Sequence, residues 1–398
     1  MLVDASPRSF AENDVPSGWV RTAGPFLAGE AYAEKESSSM PRYMINFLSP
    51  IVLVCFCERH YLCTRNLHIY TFFMRQTRLY RLSLILALFV SNYLHAQSDP
   101  ISRINEYGSF DNWSVRQVKE SGIIGGQMKY LYEFYGNRDT TFTGKTPYLS
   151  PEDYLWRTNN VLAIVAGVVK TSNTVYPEPR DGGYCARIET HIEEVKALGA
   201  VNMDVVCQGA LMVGELPEPI KDTKSPMAKV LYGYPCSETP RAVRFDYKAD
   251  VGHTAVRGTG FSKLKVLDYP DSAEVTFILQ KRWEDEDGRV HAHRVATAIE
   301  RFSVDVPDWV DGHEIALKYG DITEDPDYKY YMGLKSDPET AYHTINSRGE
   351  NVIVEENGWA EVGTEPNYLI LHFISSCGKP FNGGVGNVLW VDNVEIVR

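Results

Sequence analysis

Two short segments of the chain carry charged side chains at every second position. This spacing places them on one face of a β-strand, opposite an apolar face. In residues 184–192 the charged face holds Arg187, Glu189 and His191, and the other face holds Ala186, Ile188, Thr190 and Ile192. In residues 243–248 the charged face holds Arg244, Asp246 and Lys248, and the other holds Val243, Phe245 and Tyr247. If the two strands are neighbours in one sheet, the charged rows form a polar face. Arginine and carboxylate side chains on such a face can bind ligand hydroxyls through hydrogen bonds. The alternative is a solvated sheet exterior whose ion pairs contribute little energy and no function.

Tyrosines flank the same region and could supply flat contact area. Tyr176 and Tyr184 lie on either side of the turn at residues 180–183, and Tyr328, Tyr330 and Tyr331 lie in a later segment. Rings in loops bring large contact area at low entropic cost, which suits a flat ligand such as a sugar. The tryptophans are expected to be core or hairpin-packing residues instead: Trp113, Trp283, Trp309, Trp359 and Trp390.

Hydrolytic chemistry is predicted only weakly. Glycoside hydrolysis needs two carboxylates about 5 to 10 Å apart, and Glu189 with Asp246 is the one pair that the alternation places on a common face. Neighbouring arginines lower a carboxylate pKa, which suits a nucleophile but not a general acid. The sequence shows no Ser/His/Asp pattern, phosphate loop or dinucleotide fingerprint; the Gly258-Thr259-Gly260 segment lacks the third glycine.

The elements that would position these residues are almost all strands. Runs rich in β-branched and aromatic residues, bounded by turn formers, predict strands over residues 128–135, 161–170, 183–192, 201–208, 242–248, 274–280, 290–301 and 368–375. Amphipathic helix is scarce, so the pattern favours an all-β sandwich over βαβ units. Residues 136–160, 214–228 and 321–351 are predicted to be long loops.

The stretch 381–398 runs from a glycine-rich turn into an alternating strand. That strand is apolar on both faces over much of its length, which predicts a position in the centre of a sheet. Asp392 lies within it, and a carboxylate among buried side chains needs a partner.

Charge and the start of the chain bound the function further. The 398 residues carry a formal charge of −12 with a pI near 5.4, which argues against nucleic acid as a partner. Residues 74–96 combine a basic start, a short apolar run and a final Ala96, the layout of a secretory signal peptide. The apolar run is too short for a transmembrane anchor. We therefore expect residues 1–73 to be a mis-called or disordered leader. The mature chain is expected to be soluble and exported, either periplasmic or extracellular.

Four cysteines follow the predicted cleavage site, far apart in sequence: Cys185, Cys207, Cys236 and Cys377. An exported chain permits disulfides, and four cysteines allow three pairings that the sequence does not rank. Buried free thiols are the equal alternative.

An ordered set of short segments resembles a family of exported Bacteroidetes proteins that carry the putative carbohydrate metabolism domain (PCMD). The segments are WRTN at 156–159, ARIET at 186–190, GALMVG at 209–214, PRAVRFDYK at 240–248, ISS at 374–376 and GNVLWVDNV at 386–394. They cover roughly residues 110–398. Asn387 stands where the family pattern has a serine, and the segment after Gly214 is longer and more polar than usual.

The resemblance implies a jelly-roll β-sandwich similar to carbohydrate-binding modules, and a role in glycan capture or processing. It also implies a structural calcium ion between the first and last strands, for which Asp111 and Asp392 are the candidate ligands; no other cofactor is expected. The alternative is that Asp392 accepts hydrogen bonds from backbone N–H groups or from a tyrosine. No separate immunoglobulin-like domain is apparent, so residues 97–398 are predicted to form a single domain.

These observations lead to one main hypothesis and two alternatives. The main hypothesis is an exported glycan-binding protein that uses a polar, aromatic-edged face of the sandwich. The candidate ligand-binding residues are Trp156, Asn159, Tyr176, Tyr184, Arg187, Glu189, His191, Arg244, Asp246 and Lys248. One alternative is a glycoside hydrolase with Glu189 and Asp246 as catalytic residues. The other is a structural cell-surface module that binds protein through an exposed apolar patch.

Overall fold

The computed structural model describes residues 99–134, 147–148, 154–197, 201–260 and 262–398. The predicted leader 1–73 and signal peptide 74–96 lie outside these residues, and the boundaries of the predicted single domain stay a prediction. The described chain contains one α-helix, α1 (Pro100–Glu106), which begins where the side chain of Asp99 accepts a hydrogen bond from the Ile101 N–H. Three short 3₁₀ helices span Gly122–Ile124, Pro226–Lys229 and Tyr330–Met332. Among the described residues, no helix combines the length and apolar character needed to cross a membrane.

The remaining elements are strands. The first twelve are β1 (Trp113–Lys119), β2 (Met128–Phe134), β3 (Trp156–Thr158), β4 (Val161–Val165), β5 (Val168–Ser172), β6 (Val175–Arg180), β7 (Gly183–Glu189), β8 (His191–Ala197), β9 (Val201–Cys207), β10 (Ala210–Glu215), β11 (Leu231–Tyr232) and β12 (Tyr234–Pro235). The others are β13 (Ala242–Asp250), β14 (Thr254–Arg257), β15 (Lys265–Pro270), β16 (Ala273–Glu284), β17 (Val290–Phe302), β18 (Val306–Ala316), β19 (Lys318–Tyr319), β20 (His343–Ile345), β21 (Asn351–Trp359), β22 (Tyr368–Ile374), β23 (Asn382–Gly384) and β24 (Val388–Val397).

Two large sheets dominate the described part of the chain. The larger follows the order β11-β10-β22-β16-β17-β21-β20, and the short strands β3, β12 and β19 pair with β10, β22 and β17. The smaller follows the order β18-β13-β24-β7-β6, and all its pairings are antiparallel. A three-stranded sheet (β15-β14-β23) and three hairpins (β1-β2, β4-β5 and β8-β9) complete the fold.

The main core lies between the two large sheets. Phe245 of β13 and Leu389 of β24 are fully buried there, as are Phe277 of β16 and Phe373 of β22. The rings of Phe245 and Phe373 meet edge to face at 5.1 Å across the interface. Strands from both sheets therefore contribute their apolar faces to one core, which confirms the predicted all-β sandwich.

The outer face of the larger sheet is also covered. A second apolar cluster holds Met212, Ile278, Ile370 and Tyr232 from the sheet together with Tyr342. Tyr342 belongs to the predicted loop 321–351, and Met227, from the predicted loop 214–228, packs against the same cluster. These two segments therefore form a layer over the sheet. This second layer explains why β10, β16 and β22 are apolar on both faces.

The closing strand β24 lies at the centre of the smaller sheet, as its composition predicts. Its alternation is interrupted, however, at Asn393, whose φ is +49°. The register with β13 shifts at the same point, which is the signature of a β-bulge. Trp390 and Asp392 consequently point outward while Val394 and Ile396 enter the core, although an uninterrupted strand would place all four on one face.

Two other predicted strands are divided. The predicted strand 161–170 is the hairpin β4-β5, because Ala166 and Gly167 both have positive φ and form its turn. The predicted strand 183–192 breaks at the buried Thr190, and its halves, β7 and β8, belong to different sheets. Cys185, Cys207, Cys236 and Cys377 are all free thiols in the structure.

Candidate functional site

The outer face of the smaller sheet carries a straight row of alternating aromatic and cationic side chains. Lys248 of β13 pairs directly with Trp390 of β24, Trp390 pairs with Arg187 of β7, and Arg187 pairs with Tyr176 of β6. Trp309 of the edge strand β18 extends the row beyond Lys248. We refer to these five residues as the cation–aromatic row. Successive side chains of a strand point to opposite faces, and the strand neighbours Ala186, Tyr247 and Val391 point into the core. The side chains of the row therefore point outward.

Each cation in the row lies between two rings. The Arg187 guanidinium carbon is 5.7 Å from the Tyr176 ring centroid and 5.9 Å from that of Trp390. The Lys248 ammonium is 4.3 Å from the Trp390 centroid and 5.6 Å from that of Trp309. These distances lie within the range of cation–π attraction. The rings and cations therefore fix one another's positions.

Carboxylates border the row and pair with its cations. Glu178 lies 3.6 Å from Arg187 Nε and 3.5 Å from Lys248 Nζ. Glu189 lies 2.5 Å from Arg187 Nη1 and 3.3 Å from His191 Nδ1. These polar heads keep partial solvent exposure: 35% of the Glu178 side chain and 28% of the Arg187 side chain are accessible. They thus retain hydrogen-bonding capacity toward a ligand.

His191 belongs to β8 rather than β7, yet it stays beside the row. Its two ring nitrogens face Glu189 and Glu193. Burial alone would lower the pKa of His191, but the hydrogen bonds to the two glutamates outweigh it and raise that pKa to about 9. His191 is therefore a cation at neutral pH and holds Glu189 in place.

Next to the row, Arg180 of β6 donates hydrogen bonds to three aspartates, and its Nε also lies 3.4 Å from Asp181 Oδ2. Its Nη1 donates to Asp246 Oδ2 at 3.0 Å and to Asp392 Oδ2 at 2.9 Å, and its Nη2 donates to Asp311 Oδ1 at 2.8 Å. The guanidinium carbon lies 3.8 Å from the centroid of the Trp309 ring. Asp246 also accepts hydrogen bonds from the Gly312 N–H and the Asn393 side chain. We call Arg180, Asp246, Asp392 and Asp311 the Arg180 cluster.

Asp392 therefore has the partner that a buried carboxylate requires. The partner that the structure shows is the guanidinium of Arg180. Its Oδ2 accepts from Arg180 and its Oδ1 from the Asn393 N–H. Asp111, the other proposed calcium ligand, accepts a hydrogen bond from the Tyr184 N–H. Within the described residues, no group of three or more His, Cys, Asp or Glu side chains could hold a metal ion. Arg180 already supplies positive charge beside Asp392, and each carboxylate accepts at least one N–H. The calcium ion that the resemblance implies stays a prediction.

Removal of calcium should accordingly leave stability unchanged. With excess chelator, we expect the melting temperature of the purified protein to stay the same, because Arg180 compensates the charge of Asp392 without a metal. Thermal unfolding followed by circular dichroism measures this. A drop of several degrees that added Ca²⁺ restores would contradict the expectation and return Asp111 and Asp392 to the role of metal ligands.

Comparison with known proteins adds little to this geometry. No family model matches the chain, and no curated protein matches it. The fold is similar to a structure described as a putative glycoside hydrolase from Bacteroides thetaiotaomicron, with a TM-score of 0.37 and 15% identity over 71% of this chain and 70% of that chain. A second structure, a putative glycoside hydrolase from Bacteroides vulgatus, gives a TM-score of 0.35 and 14% identity over 73% of this chain and 96% of that chain. At this level of similarity, neither structure indicates what this protein does. The PCMD resemblance stays a prediction from the sequence segments.

The structure brings together half of the predicted ligand-binding residues. Tyr176, Arg187, Glu189, His191 and Lys248 lie in or beside the row. Asp246 lies in the Arg180 cluster, where it accepts hydrogen bonds from Arg180, the Gly312 N–H and the Asn393 side chain. Arg244 shares the outer face but pairs with Glu395 away from the row.

Three predicted ligand-binding residues are placed elsewhere. Trp156 is fully buried in the main core, where its Nε1 donates to the Ile104 carbonyl. Tyr184 packs against the main core, since it shares the parity of the core residue Ala186 rather than that of Arg187. Asn159 fastens neighbouring segments: its side chain donates to the Gln208 carbonyl and accepts from the Ala210 N–H. Trp156 is buried and has no surface to offer a ligand. Asn159 and Tyr184 are partly exposed but lie away from the row, so their part in binding stays a prediction.

The proposed catalytic pair has the wrong electrostatics for acid catalysis. Glu189 and Asp246 lie on strands separated by β24. Burial raises the pKa of each carboxyl, but hydrogen bonds from His191 to Glu189, and from Asn393, Gly312 and Arg180 to Asp246, lower both below their ordinary values. Both side chains are ionised at neutral pH, so neither is suited to donate a proton to a leaving group.

Proposed function

We propose that the protein is an exported glycan-binding protein and that the cation–aromatic row is its binding surface. The observation that carries this proposal is the direct cross-strand register of Tyr176, Arg187, Trp390 and Lys248. Alternating rings and charged heads match a sugar chain, which presents apolar ring faces and polar hydroxyls in turn.

The dimensions of the row favour an oligosaccharide over a single sugar. Five strands at the usual spacing make it about 19 Å long. The side chains are held by one another before any ligand arrives, through the cation–π contacts and the pairs with Glu178 and Glu189. Such preorganisation reduces the entropy lost on binding.

Glycan-array binding by the purified protein tests the proposal. We expect a defined set of oligosaccharides to bind without product formation. Arg187→Ala should weaken that binding at least tenfold, because it removes a cation and the link between two rings. Arg244→Ala is the matched control: it removes an arginine from the same outer face, away from the row, and should bind as the unmodified protein does.

The remaining outcomes would each contradict the proposal. Release of product that stops in Glu189→Ala would support the hydrolase instead. Absence of binding to every glycan would favour a protein-binding surface module. Equal losses in Arg187→Ala and Arg244→Ala would mean that the row has no special role.

A further inference from the structure

A separate cavity of about 200 Å³ lies on the outer face of the larger sheet. Its lining includes the sheet residues His372 of β22, Glu274 of β16 and Tyr232 of β11, together with Tyr342 and Lys335 from the layer that covers the sheet. We call it the His372 cavity. It opens on the other side of the sandwich core from the cation–aromatic row, and it contains no residue of that row.

Among the residues that line this cavity, His372 has a ring nitrogen without a hydrogen-bond partner in the described part of the chain. Its side chain is buried, with 5% of the residue exposed, and its Nε2 lies 3.2 Å from the Tyr342 hydroxyl. Its Nδ1 is buried and has no hydrogen-bond partner within the described residues. Buried polar atoms in native proteins are nearly always bonded, so an unpartnered nitrogen on a residue that lines a cavity points to a missing partner, either a ligand or an ordered water.

The charge state of His372 determines what it can bind. Burial lowers its pKa to about 4, with Glu274 raising it and Lys335 lowering it by smaller amounts. The ring is therefore neutral at pH 7, and Nδ1 either donates or accepts depending on the tautomer. A hydroxyl group satisfies both cases, because it donates and accepts.

The other walls favour an uncharged ring. The Tyr232 centroid is 5.0 Å from His372 and 5.7 Å from Tyr342, at an angle of 68° to the latter, so the two tyrosines form an aromatic corner. Glu274 is held by Arg301 Nε at 2.7 Å and by the Thr276 hydroxyl. Lys335 also lines the cavity. A ligand charge of either sign would meet one opposite and one like charge at Glu274 and Lys335, whereas hydroxyls can bond to both without repulsion.

We propose that the His372 cavity binds a single neutral sugar ring, with one hydroxyl on His372 Nδ1 and a ring face on the Tyr232–Tyr342 corner. Its volume is below the roughly 300–1,000 Å³ of pockets for drug-sized ligands, which limits the occupant to one ring. The ligand class rests on the proposed glycan-binding function, but the residues that carry this second site are independent of the row.

Histidine-ring NMR tests the proposal on the intact protein. The ¹⁵N resonances of His372 are followed while glucose, galactose, mannose and N-acetylglucosamine are added separately. We expect at least one sugar to shift the Nδ1 resonance in a saturable way. His372→Gln should raise the Kd of that sugar at least tenfold, and Arg187→Ala, which alters only the row, should leave it unchanged.

The outcomes separate this inference from the proposed function. If no sugar perturbs His372 while oligosaccharides still bind the row, the cavity proposal fails alone. If a sugar titrates His372 but the array shows no binding, the row proposal fails alone. An unchanged Kd in His372→Gln overturns the cavity proposal. If His372→Gln does not fold, the sugar titration of the unmodified protein still tests the cavity proposal. Tyr342→Phe then takes the place of His372→Gln, because it removes only the hydroxyl that contacts His372 Nε2.

Discussion

Replacing Arg180 with methionine should lower the free energy of unfolding by about 3–5 kcal/mol, the usual cost of removing one partner from a buried ion pair. The side chains of Arg180, Asp246 and Asp392 are only 9%, 12% and 9% exposed. Without the guanidinium, two buried carboxylates on adjacent strands face each other with no cation between them. Urea denaturation of the two proteins at pH 7 measures the difference.

The expected loss depends on pH, and the sign follows from the carboxylates. Burial already raises the pKa of Asp392 to about 6 in the folded protein, against an ordinary value of 3.8. The native state therefore binds more protons than the unfolded state, and the stability this group contributes is present at low pH and lost as pH rises through about 6. Removal of Arg180 enlarges this effect, so Arg180→Met should be more destabilising at pH 8 than at pH 4.

Two further variants control this experiment. Asp311→Asn changes one of the two exposed partners of Arg180, with a side chain that is 74% accessible, and should cost less than about 1 kcal/mol. Adding Asp392→Asn to Arg180→Met should recover part of the lost stability. A loss that is equal at both pH values, or that the second substitution does not reduce, would mean that Arg180 acts through packing on Trp309 rather than through charge.

The second large effect is expected at Trp390. Trp390→Ala should weaken oligosaccharide binding by about 30-fold or more, the ~2 kcal/mol typical of an anchoring aromatic. The ring lies at the middle of the row, in contact with both Arg187 and Lys248. Its loss removes a stacking surface and releases both cations. Titration calorimetry with the oligosaccharides found on the array measures the change.

Trp283→Ala provides the matched control for Trp390→Ala. Trp283 is 41% exposed and stacks on His291 at the β16–β17 hairpin, outside the row. The control should bind sugar as the unmodified protein does, and both variants should unfold in a cooperative transition. Retention of binding in Trp390→Ala, or an equal loss in Trp283→Ala, would remove the row as the binding surface.

The sequence predicts the chemistry of the row better than its geometry. Alternation places Arg187, Glu189 and Lys248 on outward faces, and the structure confirms these orientations. Strand order is not contained in that pattern, so the insertion of β24 between β7 and β13 was not predicted. That strand supplies Trp390, which its apolar surroundings had suggested was a core residue.

Local backbone exceptions account for other differences. The bulge at Asn393 and the break at Thr190 each change which side chains share a face, and neither position carries a glycine or proline to signal it. The sequence pattern places Arg180 in a turn, although it ends β6 and donates hydrogen bonds to three aspartates. His372 is a lone histidine in the apolar strand β22, and the sequence did not predict a cavity beside it. The residues that cover this part of the sheet come from segments distant in sequence, so no local pattern reveals them.

The central position of β24 also has a consequence for the folding rate. Both of its neighbours are distant in sequence: Val388 pairs with Glu189 and with Asp250, the first pair about 200 residues apart, and such non-local pairings slow folding because the intervening chain must be ordered first. Until β24 is inserted, β7 and β13 present unpaired edges, which are templates for association with other chains. We therefore expect refolding of this protein to be slow and strongly dependent on protein concentration.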